Sequence, residues 1–275
     1  MTLSRRTLLL GGITSVVAHA ARNEYGFEKT EVEVIVPGLD PAHDGLKVAQ
    51  LSDFHVGSST PERRVLGAVA TLNEVKPDFV ALTGDFVTYT KKPMPLVSSQ
   101  LAGIEAPTIA VLGNHDHFVD ATGVTKAVDK AGYATLRNQN TVLRLRGVDF
   151  TVVGVDDGGT GHDDVKKSLE GVRGSRMVLT HNPITARKLP KHAGLFAIAG
   201  HTHGGQIIIE PVTDALSKLF GQPYIRGRYD VGGNLLYVNR GLGFGRSSDL
   251  FHHLSIPELT VFTLRAPEAF PGIGV

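Results

Sequence analysis

Cysteine and tryptophan are both missing from the 275 residues. Without a thiol the chain can form no disulfide and offers no thiolate, so any metal would have to be held by imidazole, carboxylate or amide groups. A dominant charge sign is also lacking: 28 Lys and Arg stand against 27 Asp and Glu, a formal net charge of +1, with no long run of either sign. That balance disfavours a polybasic nucleic-acid surface and an acidic solvating tail, and leaves the attraction of a charged ligand to a local site. Internal repeats, low-complexity tracts and an interdomain linker are absent as well, so one domain over residues 30–265 is expected. What is plentiful is histidine, twelve in all, and glycine, with clusters at Gly154 to Gly161 and Gly241 to Gly245 that read as turns or as loops near a site.

The first twenty residues differ from the rest. Ser4-Arg5-Arg6 precedes an apolar run from Thr7 to Val17, and Ala18-His19-Ala20 resembles a small-x-small cleavage site. The run is short and interrupted by Gly11 and Gly12, unlike a comfortable membrane span. Residues 1–20 therefore read as a twin-arginine-type export signal, or as an N-terminal anchor if uncleaved, although Leu8 stands where such signals usually carry Phe. Export to the periplasm or cell envelope, with the export machinery as a partner and peripheral membrane contact, is the expectation.

Beyond it, Val32, Val34 and Val36 alternate with Glu31, Glu33 and Ile35, as in a half-buried edge strand. Further short β-type runs follow at Leu46 to Leu51, Phe79 to Thr83, Thr108 to Leu112, Val142 to Leu145, Phe150 to Val155, Met177 to Thr180, Leu195 to Ala199, Gln206 to Ile209, Leu235 to Val238 and Leu259 to Leu264. Thr60 to Lys76 reads as a helix with Thr60 as N-cap, Pro61 at its first position, and Val65, Leu66, Val69 and Leu72 on one face. Many strands with few long helices predict an α/β protein of two face-to-face sheets with helices outside.

Five polar clusters follow the ends of these runs, where open α/β sheets place ligands. They are Asp53-Phe54-His55, Gly84-Asp85, Gly113-Asn114-His115-Asp116, His181-Asn182 and Gly200-His201-Thr202-His203. Any one of them has an ordinary reading as a turn, a cap or a surface histidine. Five in series, each behind an apolar β run, point instead to a metal centre.

The ordered pattern D-x-H, G-D, G-N-H-D, H, G-H-x-H resembles that of calcineurin-like metallophosphoesterases, over roughly Leu46 to Ile209. Ser52 to His55, Gly200 to Gln206 and Leu236 to Gly243 are similar to its YkuE-like and YaeI-like bacterial branch, which includes enzymes that cleave UDP-2,3-diacylglucosamine. The resemblance implies a four-layer α/β/β/α sandwich of two mixed sheets. It also implies two divalent ions of the Mn, Zn, Fe or Mg class, one held by Asp53, His55 and His203, the other by Asn114, His181 and His201, with Asp85 bridging them. A hydroxide between the ions would attack phosphorus, and His115 would protonate or stabilise the leaving oxygen. Asp116 is open between orienting His115 and capping a helix. Thr88 departs from the pattern, since many relatives carry Asp there, and Tyr89 stands where protein phosphatases carry Arg.

The expected activity is hydrolysis of a phosphodiester or pyrophosphate, on a lipid-linked substrate such as UDP-2,3-diacylglucosamine in the sharpest reading. Phe220, Phe244, Phe251 and Leu254 are candidates to flank such a lipid, and Arg240, more than Arg226 or Arg246, to clamp a diphosphate. The alternatives are a non-catalytic metal-binding envelope protein and a nuclease using the same site. Nucleic acid is not expected as a partner on electrostatic grounds.

Overall fold

Runs that are apolar throughout and runs that alternate give two kinds of strand, buried on both faces or on one. A computed structural model describes residues 17–19, 25–58, 60–205, 221–243 and 255–267. In chain order its strands are β1 (Val17–His19), β2 (Glu28–Ile35), β3 (Leu46–Leu51), β4 (Phe79–Leu82), β5 (Thr108–Ala110), β6 (Ala134–Thr135) and β7 (Gln139–Leu145). There follow β8 (Val148–Gly154), β9 (Ser175–Leu179), β10 (Phe196–Ala199), β11 (Gly227–Asp230), β12 (Leu235–Val238) and β13 (Glu258–Arg265). They form two mixed sheets, ordered β1-β2-β13-β3-β4-β5-β6 and β11-β12-β10-β9-β8-β7. Each sheet contains a run of adjacent parallel strands: β3, β4, β5 and β6 in the first, β8, β9, β10 and β12 in the second.

The first sheet is covered outside by α1 (Glu62–Val75), α2 (Met94–Leu101) and α4 (Ala121–Lys130), whose Leu72, Leu101 and Val128 share a core with Leu51, Phe54 and Phe86. The sheets face each other through Val34, Phe79, Phe150, Met177, Phe196 and Phe262. Each of these large side chains contributes about 1.5–3 kcal/mol by leaving water. Outside the second sheet, Val178, Ala197 and Leu236 pack beneath Ala186 and Leu189, at the 3-10 turn Pro183–Lys188, and beneath Val165, which opens α5 (Val165–Ser168). The result is the four-layer α/β/β/α sandwich.

Several expectations change in detail. α1 begins at Glu62, and Pro61, not Thr60, holds the N-cap position without any side-chain cap bond; Thr60 is buried against Gly243 instead. α1 ends where Lys76 turns left-handed at φ 51°. β2 has the expected half-buried alternation but is not an edge, because β13 flanks it on one side and β1 pairs with it on the other. Ala18 and His19, read as part of a cleavage site, lie in β1, while Ser4, Arg5 and Arg6 lie outside the described residues, as does the strand expected at Gln206 to Ile209. Among the described residues no helix is long and apolar enough to cross a membrane.

Candidate metal centre

The chain delivers its polar clusters from the carboxyl ends of β3, β4, β9 and β10 and from α3 (Asn114–Val119), which starts just beyond β5. Turning sharply out of a buried strand requires unusual backbone. Among the described residues nine non-glycine positions have positive φ, and five of them are Asp53, Asp85, His55, His201 and His203. Such conformations cost of order 1–3 kcal/mol each and persist only where surrounding structure enforces them. The enforcement is visible. Asp53 N–H donates to Gly84 carbonyl at 2.9 Å, His55 N–H to Asp85 carbonyl at 2.9 Å, and Gly243 N–H to Asp53 carbonyl at 2.8 Å. Gly84, at φ 88°, approaches Gly113 so closely that a Cβ would lie 2.5 Å from its nitrogen. Gly241, at φ 77°, abuts Asp53, where a Cβ would lie 2.6 Å from that of the aspartate.

One ligand atom from each of Asp53, His55, Asp85 and His203 falls within 4.8 Å of the others, and the same holds for Asp85, His181 and His201, so Asp85 belongs to both groups. Asn114 joins the second, its Oδ1 lying 2.8 Å from His201 Nδ1 and 3.1 Å from His181 Nε2. The outer ring nitrogens are tied down. His181 Nδ1 meets Thr83 carbonyl at 2.7 Å, His203 Nδ1 meets Gly243 carbonyl at 2.8 Å, and His55 Nδ1 meets Thr88 Oγ1 at 3.1 Å. A ring that donates from Nδ1 to a carbonyl keeps its Nε2 lone pair for the interior, the usual support of a metal-binding imidazole. His55 Nε2 and His203 Nε2 thus face each other at 3.2 Å beside two carboxylates. Converging lone pairs and anions with oxygen and nitrogen donors suit a divalent cation, and this donor set fits one.

Electrostatics follow from burial. Burial drives His55 down to about 3, and burial followed by the charge of His181 drives His201 down to about 4. Burial also works to lower His181, yet Asp85, 3.3 Å away, with Asp53 and Asp157 behind it, outweighs burial and holds that ring well above the ordinary value. Burial works to raise Asp85, but His181 and His55 outweigh it and keep the carboxyl well below the usual range.

His115 stands beside the centre, its backbone N–H donating to Asp85 Oδ1 at 2.9 Å. Its Nδ1 pairs with the carbonyl of Thr88 at 2.8 Å, so the backbone of the departing residue supplies the support that a carboxylate would otherwise give. The ring lines a pocket of ≈ 420 Å³ with Thr88, Tyr89, Asn114, Phe118 and Val119.

The Asp116 carboxylate bonds backbone N–H groups and not the His115 ring, so it caps the helix terminus. Its carboxylate accepts N–H bonds from Gly113, Asp85, Phe86 and Val87 at 2.8–3.2 Å, closing the start of α3 and bracing the Asp85 loop together. Burial and then Asp85 push this carboxyl up to about 8, against the pull of those donors.

Arg240 is not a diphosphate clamp: Nη2 bonds Glu28 at 2.7 Å and Nε bonds Glu258 at 3.0 Å, and the side chain braces β2 against β13. Arg226 meets Gly204 carbonyl at 3.4 Å, while Arg246, Phe220, Phe244, Phe251 and Leu254 lie outside the described residues. Sequence reasoning passed over Asp157, which is fully buried and acts on His181 and His201, and His117, which bonds Asp156 at 2.7 Å. The acidic pair in Val155-Asp156-Asp157-Gly158, directly after β8, was the available signal.

Comparisons with known proteins agree with this geometry. The calcineurin-like phosphoesterase family model matches residues 46–205. The uncharacterized metallophosphoesterase YkuE of Bacillus subtilis is 32% identical, the match covering 96% of this chain and 98% of that protein. Phosphodiesterase YaeI of Escherichia coli is 30% identical over 72% of this chain and 75% of its own. The UDP-2,3-diacylglucosamine pyrophosphatase LpxG of Chlamydia trachomatis is 28% identical over 72% of this chain and 78% of its own. Since the family match runs from the first residue of β3 to Gly205, all the loops that converge on Asp85 fall inside it, and the chain belongs to the calcineurin-like phosphoesterase family as a hydrolase of phosphoric esters.

Proposed function

We propose that the protein hydrolyses a phosphodiester or pyrophosphate at a centre of two divalent cations. The observation that carries the proposal is the sharing of Asp85 between two converging donor groups. Asp53, His55 and His203 would hold one cation, Asn114, His181 and His201 the other, and Asp85 both. When bound, such cations supply Lewis acidity toward phosphoryl oxygens and lower the proton affinity of water. The chain's own part is positional. Thr88, Thr83 and Gly243 fix the ring orientations, and the buried loops exclude bulk water from Asp85. Nδ1 of His115 donates to the Thr88 carbonyl, so Nε2 is the atom left for the leaving oxygen, and it gives a proton there when the ring is the imidazolium, with a proton on each nitrogen.

The test is turnover of metal-loaded protein on bis(p-nitrophenyl) phosphate, p-nitrophenyl phosphate and nucleoside diphosphates with Mn, Zn, Fe and Mg in turn. A higher kcat/KM on diester or pyrophosphate than on monoester is expected. Absence of turnover with every ion would leave only metal binding, and binding of DNA with a steep salt dependence would favour a nuclease.

A lipid-linked substrate is a second reading, supported by the similarity to LpxG of Chlamydia trachomatis, a UDP-2,3-diacylglucosamine pyrophosphatase. Rates on a short-chain and a long-chain diester, with and without micelles, separate it, since equal kcat/KM would exclude a lipid requirement. The proposal includes export, supported by Ser4-Arg5-Arg6 and the apolar run behind them. A chain with Arg5→Lys and Arg6→Lys should stay in the cytoplasm, and unchanged translocation would overturn the twin-arginine reading.

A further inference from the structure

We infer that the pocket beside His115 is a specificity site for a planar aromatic ring on the leaving group of the substrate. The inference rests on the function proposed above and names the substrate class for that site. Among the described residues most large apolar side chains are buried, yet Tyr89 and Phe118 are 60% and 71% exposed, and both line this one pocket. Each ring meets His115 edge to face, with centroids at 6.0 and 6.1 Å and interplanar angles of 81° and 77°. The His115 ring is itself held from behind by the Thr88 carbonyl at 2.8 Å and packed edge-on against His55 at 5.1 Å, so it cannot swing away to cover the aromatics.

Two exposed aromatic rings, each set steeply against a fixed imidazole, make the pocket a slot with ring surfaces in its wall. A flat ring can lie against such walls, in stacked or edge-to-face contact. An acyl chain suits the slot less well, because Thr88, Asn114 and His115 bring polar groups to the same lining as Val119 and Phe118. Small-molecule sites commonly pair apolar walls with a few convergent polar groups in this way. Asn114 joins the pocket to the second donor group through its Oδ1 contact with His201 at 2.8 Å. A ring in the slot would therefore hang from the phosphoryl group on the His115 side, where the leaving oxygen departs.

Binding calorimetry on metal-loaded protein tests this apart from catalysis, comparing phenylphosphonate with methylphosphonate, whose P–C bonds resist hydrolysis, and uridine 5′-monophosphate with ribose 5-phosphate over injections in which no inorganic phosphate is released. Wild type should prefer the ring-bearing member by about tenfold or more, and the preference should fall below about threefold in Tyr89→Ala with Phe118→Ala. Preference in the phosphonate pair alone identifies a simple aryl group, and in both pairs a nucleobase. Equal affinities within both pairs in wild type overturn the inference, whatever the variants do. So does a preference that survives in the double variant. Failure of the hydrolase reading looks different, because it appears as lack of turnover on diesters while phosphonate binding is still measured.

Discussion

Truncating His115 removes a ring that touches Thr88, Tyr89, His55 and Phe118 without belonging to either donor group. His115→Ala should therefore lower kcat by about 100-fold or more, as loss of a positioned proton donor does, while metal content measured by elemental analysis stays near wild type. Parallel loss of metal would show that the ring is structural. Asp85→Ala is expected to go further, because Asp85 alone is common to both groups. Its loss should lower metal affinity by more than the about 10–100-fold typical of an outer partner, and by more than Asp53→Ala. Equal metal content in the two variants would contradict a bridging role. The donors themselves were legible in the sequence because five polar clusters in series, each directly behind an apolar run, are more than turns and caps account for. Their partners, the carbonyls of Thr83 and Gly243 and the hydroxyl of Thr88, were not, since such groups recur along the chain and only the fold decides which one faces a ring.

Strand ends and the turns after them carry the next level of control. The sequence showed where strands lie, because apolar runs mark β3, β4, β8, β10 and β12 to within a residue or two. It did not show that the Gly84 and Gly113 turns interlock, or that Asp116 of α3 clasps the Asp85 loop, because both depend on strands pairing side by side. Gly241→Ala places a Cβ against Asp53 at positive φ, so it should destabilise the fold by about 1–3 kcal/mol, read from chemical denaturation. An unchanged midpoint would show that the loop after β12 moves freely away from the aspartate. Thr60 illustrates a different failure. A threonine before proline is a reasonable cap by local chemistry, yet here the approach of Gly243 takes precedence over the helix end.

For the molecule as a whole, the titrating groups set opposing pH responses. In the metal-free chain, His55 and His201 stay neutral down to about 3 and about 4, whereas unfolded imidazoles take up protons below 6.5. Asp116 keeps a proton up to about 8, whereas an unfolded carboxyl loses it near 3.8. Between pH 4 and 6.5 the unfolded chain thus binds two protons that the fold refuses and releases one that the fold keeps, a net of one. Stability should rise with pH there, with a slope of about 1 kcal/mol per unit. Above 6.5 Asp116 and His181 hold protons that the unfolded chain has lost, so stability should decline again. Urea denaturation of chelator-treated protein from pH 4 to 9 should show a maximum near 6.5, and a flat profile would refute the assignment. Metal loading at pH 7 should release protons, chiefly from His181, readable as buffer-dependent heats in calorimetry. The position of β13 between β2 and β3 adds a constraint in time. The donors from Asp53 to His203 all leave the ribosome before Glu258–Arg265, yet Glu258 N–H anchors Gly241, the residue that presses on Asp53. A chain stalled short of β13 would carry every one of these donors but not the strand that anchors the Gly241 loop against Asp53, so metal capture should wait until β13 is in place.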